Sequence, residues 1–318
     1  MTDPSRPFPA AEGARVAWGE VPPTVRTSIE QLLGSAVTEA VSQPGGFSPG
    51  VASRLLLGDG RRVFLKLVSA DANPDTPEIH RQEARIVAAL PPLMFVPALL
   101  DVYDDGTWVG LVFEDIAGRQ PLLPWHEAEL ERVVDAIGEL ASVLTPSPVQ
   151  VPSFADDPIG GDSFGRLSSN PHDEGLDPWI ARHLGALADL ESGYAEAAAG
   201  RTLVHADIRA DNVLLTRDRV VFVDWPWACT GAAWLDLLCF CPSVAMQGGP
   251  PPWEVFASGS RGLRPEPEAV QALVALLAGF FINRSLEPDP PGLPTVRAFQ
   301  AAQGVRAVRW LRHLTGWR

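Results

Sequence analysis

Lysine is almost absent from this chain. Lys66 stands alone against 24 arginines in 318 residues. A bias toward arginine codons would produce that imbalance, so the surviving lysine raises the question of what arginine does less well there. An ammonium is a compact point charge that reaches a phosphate through a narrow approach, whereas a guanidinium is a planar fork. The other reading is a chance survivor on a solvated strand. Basic charge is scarce altogether: the net charge is −14, divided as −6 over residues 1–115 and −8 over residues 116–318. No single acidic tail accounts for it, and the basic footprint needed to displace counterions from nucleic acid is missing. Cysteine is scarce too. Cys229, Cys239 and Cys241 lie in apolar surroundings without metal-ligand spacing, and they read as buried thiols of a reducing cytoplasm. The longest apolar stretch, 269–282, contains Gln271 and is too short to cross a bilayer. There is no internal repeat, and residues 1–7 lack the basic start and apolar core of a signal peptide. The expectation is a cytoplasmic protein with no membrane or nucleic-acid partner and with its oligomeric state open.

What is present describes a folded enzyme-sized chain. Hydrophobic residues make up 46% and charged residues 20%, with ten tryptophans, and the length suits one large or two medium domains. Residues 1–22 are proline-rich and read as an irregular tail. Val25, Ile29, Leu32, Leu33, Val37 and Val41 recur at helical spacing and predict one amphipathic helix over 24–41. Two apolar runs, 51–57 and 62–68, flank Gly58-Asp59-Gly60 and predict a hairpin. A helix over 77–90 follows, carrying Glu83, and a second hairpin over 98–102 and 108–113. Beyond Gly118 the pattern turns helical, with helices predicted over 128–144, 179–199, 268–283 and 296–314. Residues 145–178, rich in Pro, Ser, Gly and Asp, read either as a solvated surface loop or as a mobile cover.

The chemistry is concentrated at His205-Ala206-Asp207-Ile208-Arg209-Ala210-Asp211-Asn212, between the apolar segments 203–204 and 213–215. A second apolar segment, 220–223, ends at Asp224. Two hairpin strands around such a loop bring Asp207, Asn212 and Asp224 to one point. Phosphoryl transfer needs a carboxylate to orient and deprotonate a hydroxyl, and oxygen ligands for Mg²⁺. Asparagine occurs only four times in the chain, which weighs against a turn that merely caps itself.

This segment resembles the catalytic loop of the aminoglycoside phosphotransferase and choline kinase-like enzymes, which share the protein-kinase-like fold. The pattern His-Gly-Asp-Leu-His-x-x-Asn, a later Ile-Asp-Trp and Gly-x-x-x-x-Asp-Leu align with His205 to Asn212, Val223-Asp224-Trp225, and Gly231 to Asp236-Leu237. The resemblance implies Asp207 as base, Asn212 and Asp224 as metal ligands, Asp236 as a buried brace and His205 as structural. Ala206 stands where the family has Gly, which is expected to exclude a left-handed backbone there. Arg209 replaces the second His. It reads either as a stabiliser of transition-state charge or as a surface salt bridge.

The same resemblance implies a nucleotide site in the first half. Gly45, Gly46 and Ser48 form a glycine-rich turn whose backbone would cover phosphates. Lys66 takes the strand position that holds the α- and β-phosphates, Glu83 is its partner on the next helix, and Glu114 to Ile116 match the hinge whose backbone binds the base. Asp156, Asp157, Asp173 and Glu174 read as an acidic wall for a cation or as loop solvation, and Trp225, Trp227 and Trp234 as a stacking face or as core. The expected fold is α+β and bilobal, with a small antiparallel-sheet N-lobe over 1–115 and a larger, mainly helical C-lobe over 116–318. The expected reaction uses Mg²⁺ and ATP or GTP to phosphorylate a hydroxyl of a small-molecule acceptor. An aminoglycoside-type cation leads, ahead of choline, homoserine or sugars; a pseudokinase module and a plain binder of cationic metabolites are the readings from other classes.

Overall fold

The computed structural model describes residues 8, 9, 11, 13–47, 49–156, 161–169, 176–260, 262, 263 and 265–318. Helix α1 (Pro23–Leu33) precedes strands β1 (Val37–Ser42), β2 (Val51–Leu57) and β3 (Arg62–Ser69), helix α2 (Thr76–Ala89), and strands β4 (Leu99–Asp104) and β5 (Trp108–Glu114). The five strands form one antiparallel sheet in the order β1-β2-β3-β5-β4. Alternation along β3 assigns its two faces. Val63, Leu65 and Leu67 close an apolar cluster with Val25, Ile29 and Leu33 of α1. Phe64, Lys66 and Val68 face the other way, toward α2, so a one-residue slip in register would drive the Lys66 ammonium into the apolar cluster.

The second lobe contains α3 (Glu127–Val143), α4 (Ser163–Ser169), α5 (Pro178–Ser192), α6 (Tyr194–Ala198), α7 (Leu235–Met246), α8 (Pro252–Gly259), α9 (Pro267–Ser285) and α10 (Val296–Thr315). Four short strands run between α6 and α7: β6 (Thr202–Val204), β7 (Val213–Leu215), β8 (Val220–Phe222) and β9 (Cys229–Gly231). β6 pairs with β9 and β7 with β8, both antiparallel. One apolar core extends from Ala84, Ile86 and Val87 of α2 to Leu273 and Leu276 of α9 and Leu311 of α10. No helix among the described residues is long and apolar enough to cross a membrane.

Several expectations need correction. The helix beginning near residue 24 stops at Leu33, because Gly34 takes a left-handed φ of +68° that ends it, and residues 37–42 form an exposed edge strand. The described part of residues 1–22 is no loose tail: Trp18 and Val21 are buried against α1 and the sheet, and Ala11 packs on Met246 and Phe299, while residues 1–7, 10 and 12 lie outside the described residues. The helix over 179–199 breaks at Gly193 into α5 and α6. In the segment 145–178, Phe154, Phe164 and Leu167 are buried, and Glu191 of α5 accepts backbone N–H bonds from Ser163 and Phe164 at the start of α4, each at 2.9 Å. That part packs against the helical lobe and is no solvated loop. Asp156 belongs to the described residues, whereas Asp157, Asp173 and Glu174 lie outside them. Helices α7 and α8 were not expected. α7 is buried almost all round and carries Pro242, so no polar face marks its period.

Ile29 is fully buried between α1 and the sheet. Ile29→Ala is expected to lower the unfolding free energy by about 2–4 kcal/mol, measured by denaturant titration.

Candidate active site

The loop after β6 is shaped from below by one buried carboxylate. Asp236, in the first turn of α7, accepts N–H bonds from His205 (2.9 Å) and Ala206 (2.8 Å). Burial pushes the Asp236 carboxyl up, against the pull of His205 and those two N–H groups. The grip holds Ala206 at a φ of +64°, the left-handed conformation expected to be closed to it. Two oriented N–H groups on one carboxylate outweigh a steric cost of about 1–2 kcal/mol. His205 is fully buried and bridges the loop. Its Nε2–H donates to the Val223 carbonyl at 2.9 Å, and its Nδ1 accepts from the Asp207 N–H at 3.2 Å. That tautomer is neutral, and burial keeps it so by pushing the imidazole below its ordinary value.

The β7–β8 hairpin brings the remaining groups together. Val213 pairs with Phe222, so Asn212 and Val223 meet at the open end, where the Val223 N–H donates to the Asn212 carbonyl at 3.0 Å. The Asn212 amide N–H donates to the Asp207 carbonyl (2.9 Å) and carboxylate (3.2 Å), which turns its amide oxygen the other way. Asp224 follows at a φ of +73° and accepts from Lys66 Nζ at 2.8 Å. Lys66 also donates to both Glu83 oxygens, at 2.7 and 2.9 Å. Burial opposes every charge in this chain of three. The Asp224 and Glu83 carboxylates nevertheless hold Lys66 charged and above its ordinary value, and Lys66 draws Asp224 down to about 2. Burial also pushes Asp207 up to about 6, with Asp211 and Asp224 adding to the rise and Arg209 opposing it.

Arg209 is neither a surface salt bridge nor a lining residue of the cavity beside Asp224. It donates to Asp207 and to both Asp211 oxygens (2.9 and 3.1 Å), and its guanidinium lies over the rings of Phe47 (5.4 Å) and Phe299 (5.7 Å). Phe47 follows the glycine-rich turn and meets Phe299 of α10 edge-on at 5.2 Å. Gly45 and Gly46 adopt φ of +88° and +81°, and Ser48 lies outside the described residues.

A cavity of about 340 Å³ opens between the sheet and this hairpin. Gly45, Gly46, Lys66, Glu83, Glu114, Ile116, Asn212 and Asp224 all line it, with Ala52, Phe64, Pro97, Phe113 and Leu214 as its apolar walls. The residues expected at the hinge have partners of their own: Glu114 accepts from Arg219 and from the Ala98 N–H, and Arg54 holds Asp115 (2.6 Å) and the Ile116 carbonyl. Trp225 and Trp234 are core, while Trp227 is 54% exposed. Among the described residues no group of three or more His, Cys, Asp and Glu is arranged around a metal position. Among the oxygen donors that line the cavity, the Asp224 carboxylate and the Asn212 side-chain amide are hard ligands of the kind that fits Mg²⁺.

Sequence reasoning missed three residues near this site. Phe299 comes from the last helix, Arg15 from the supposed tail, and His80 from α2. His80 donates through Nδ1 to the Thr76 carbonyl at 3.1 Å and is pushed to about 4, first by burial and then by Lys66. Its spacing of three residues before Glu83, on the same face of α2, was a usable signal.

The phosphotransferase enzyme family (APH) matches residues 45–273, well over half of the chain, and the chain belongs to that family. Solved structures show the same kinase-like fold. The choline kinase LicA from Streptococcus pneumoniae is similar over 91% of this chain and 98% of its own, with a TM-score of 0.59 at 14% identity. The amicoumacin kinase hAmiN, in complex with AMP-PNP, Ca2+ and Ami, covers 91% of this chain and 93% of its own, with a TM-score of 0.53 at 13% identity. APH(2")-IIia, in a complex with GDP and kanamycin, covers 92% and 98%, with a TM-score of 0.55 at 15% identity. No curated protein matches the chain by sequence.

Relief of the left-handed strain gives a direct test of the Asp236 grip. Ala206→Gly is expected to raise stability by about 0.5–1 kcal/mol, the strain removed less the extra backbone entropy of glycine, and thermal unfolding would show it as a higher midpoint.

Proposed function

We propose that the chain moves the γ-phosphate of a Mg²⁺-bound ATP or GTP to a hydroxyl of a small molecule, with a sheet lobe at 1–115 and a helical lobe at 116–318 enclosing the nucleotide. One observation carries the reading: Lys66 stands between Glu83 and Asp224 at the cavity, while Asn212, one residue before the paired hairpin, grips Asp207. The apolar walls suit a planar base, and the backbone at Glu114–Ile116 lies beside it. Lys66, fixed by Glu83, holds the α- and β-phosphates; the glycine turn Gly45-Gly46 covers them. Asn212 and Asp224 would hold Mg²⁺, which supplies neutralisation of phosphate charge when bound.

Asp207 receives the acceptor. Its carboxylate orients the hydroxyl and takes its proton as the oxygen–phosphorus bond forms and the bond from the γ-phosphorus to the nucleoside diphosphate breaks. Arg209 acts here as a positioning residue: it fixes the Asp207 carboxylate and does not reach the phosphate directly. That revises the role expected for it, because its guanidinium is held by Asp207, Asp211 and the two phenylalanine rings. An aminoglycoside-type polyhydroxylated cation is the acceptor to test first, since the net charge of −14 steers cations toward the molecule.

The experiment is incubation with Mg·ATP or Mg·GTP and a panel of hydroxylated antibiotics, choline, homoserine and sugars, with phosphorylated product detected by mass. Product from at least one acceptor is expected; absence of nucleotide binding as well as product would favour a plain metabolite binder. Asp207→Ala should lower turnover by about 10²–10⁴-fold while nucleotide still binds. Unchanged turnover in that variant would remove Asp207 as the base. The base works only when deprotonated, so kcat/KM should fall as pH drops through about 6 and level off above it. A profile flat from pH 5 to 8 contradicts that assignment.

A further inference from the structure

The N-terminal segment carries a cation into the nucleotide cavity from outside the region the family match covers. Residues 14–16 run beside the start of β2: Gly50 N–H donates to the Ala14 carbonyl at 2.9 Å, and Val16 N–H donates to the Gly50 carbonyl at 3.0 Å. Gly50 is required there, because at a φ of +134° a Cβ would lie 2.4 Å from the Leu67 carbonyl oxygen. The other side of the segment reaches the second lobe, where Ala14 N–H donates to the Gly292 carbonyl at 2.9 Å. The segment is therefore tied to the sheet on either side of Arg15 and to the second lobe through Ala14. The Arg15 side chain passes beneath the glycine-rich turn, donates to the Gly45 carbonyl and lines the same cavity as Lys66 and Asp224. Gly46 makes room for it: a Cβ at that residue would stand 3.2 Å from the Arg15 terminal nitrogen. Burial pulls the guanidinium below its ordinary value, and the Asp224 carboxylate opposes that fall.

A guanidinium beneath a phosphate-covering turn, across a cavity from the only lysine, has the chemistry of a phosphate clamp. Its planar fork supplies parallel N–H donors where the ammonium of Lys66 supplies a point charge. From this geometry we infer that Arg15 is a further nucleotide-binding residue, contacting the polyphosphate of the nucleoside triphosphate from the N-terminal segment. The inference rests on the nucleotide reading above and extends it to a residue 30 positions before the family match begins.

Binding by the full-length chain tests it, with a non-hydrolysable Mg²⁺·ATP analogue and adenosine, or with the Mg²⁺·GTP analogue and guanosine in their place where the wild-type chain binds those. Arg15→Gln is expected to weaken the triphosphate about tenfold to a hundredfold, the range for a hydrogen bond to a charged group, and to leave the nucleoside within about twofold. Arg15→Lys, which keeps the charge and loses the fork, should recover part of that loss. An unchanged triphosphate affinity in a folded Arg15→Gln protein overturns the inference. So does an equal loss for the nucleoside, which would mean that the arginine only props the turn through the Gly45 carbonyl. A wild-type chain that binds neither the adenine nor the guanine pair would instead sink the nucleotide reading itself, so the two failures are distinguishable.

Discussion

The Lys66 ammonium between Glu83 and Asp224 is the contact on which the site depends. It joins the central strand of the sheet, the helix packed on that sheet and the end of the β7–β8 hairpin, elements that come from opposite halves of the chain. Three charges wholly or partly withdrawn from water are tolerated because each is paired and hydrogen-bonded, and removal of the central cation would leave the buried Glu83 carboxylate facing the half-buried Asp224 carboxylate. Arginine would fit poorly, since its longer planar fork does not fill the space between two carboxylates as a tetrahedral ammonium does. The survival of one lysine in an arginine-rich chain thus has a structural reason.

Around that contact the loop is held in conformations that its own residues do not favour. Ala206 and Asp224 are both left-handed, and neither is glycine. The strain at Ala206 is imposed by Asp236 from α7, and Asp224 is fixed by its bond to Lys66. The neutral, buried His205 then ties the two strained positions together through Val223 and Asp207. The result is a carboxylate at Asp207 whose ionisation is poised near neutrality and a carboxylate at Asp224 that stays ionised well below it. Two aspartates close together are given different ionisation ranges by burial and by the cation each one meets.

The interlobe contacts add a constraint from outside the matched family region. Phe47 reaches down from the glycine-rich turn to Phe299 of the last helix, with the Arg209 guanidinium over both rings. Aromatic faces attract a cation more strongly once water is removed, so this stack and the two carboxylates act on Arg209 together. The turn above the cavity is therefore anchored to the C-terminal helix as well as to the N-terminal segment.

Much of this was legible in the chain order of residue types. Apolar runs on either side of Gly58-Asp59-Gly60 marked the first hairpin of the sheet, and the spacing of Asp207, Asn212 and Asp224 marked the loop, because both are local patterns with fixed geometric consequences. Local pattern failed where a distant group decided the outcome. Helical periodicity past Leu33 lost to the left-handed Gly34 and to pairing with β2. The proline-rich start looked like a tail because its partners, Gly50 and Gly292, lie far along the chain. Helix α7 carries no polar face to reveal its period, since it is buried on nearly every side. The backbone of Ala206 and the partners of Arg209 followed from Asp236, Asp211, Phe47 and Phe299, which only folding brings near. By itself the sequence determined which residue types were available for phosphate, metal and proton chemistry and in what order. The tertiary structure alone decided which charges are buried together, because desolvation and pairing are properties of a neighbourhood and not of a position in the chain.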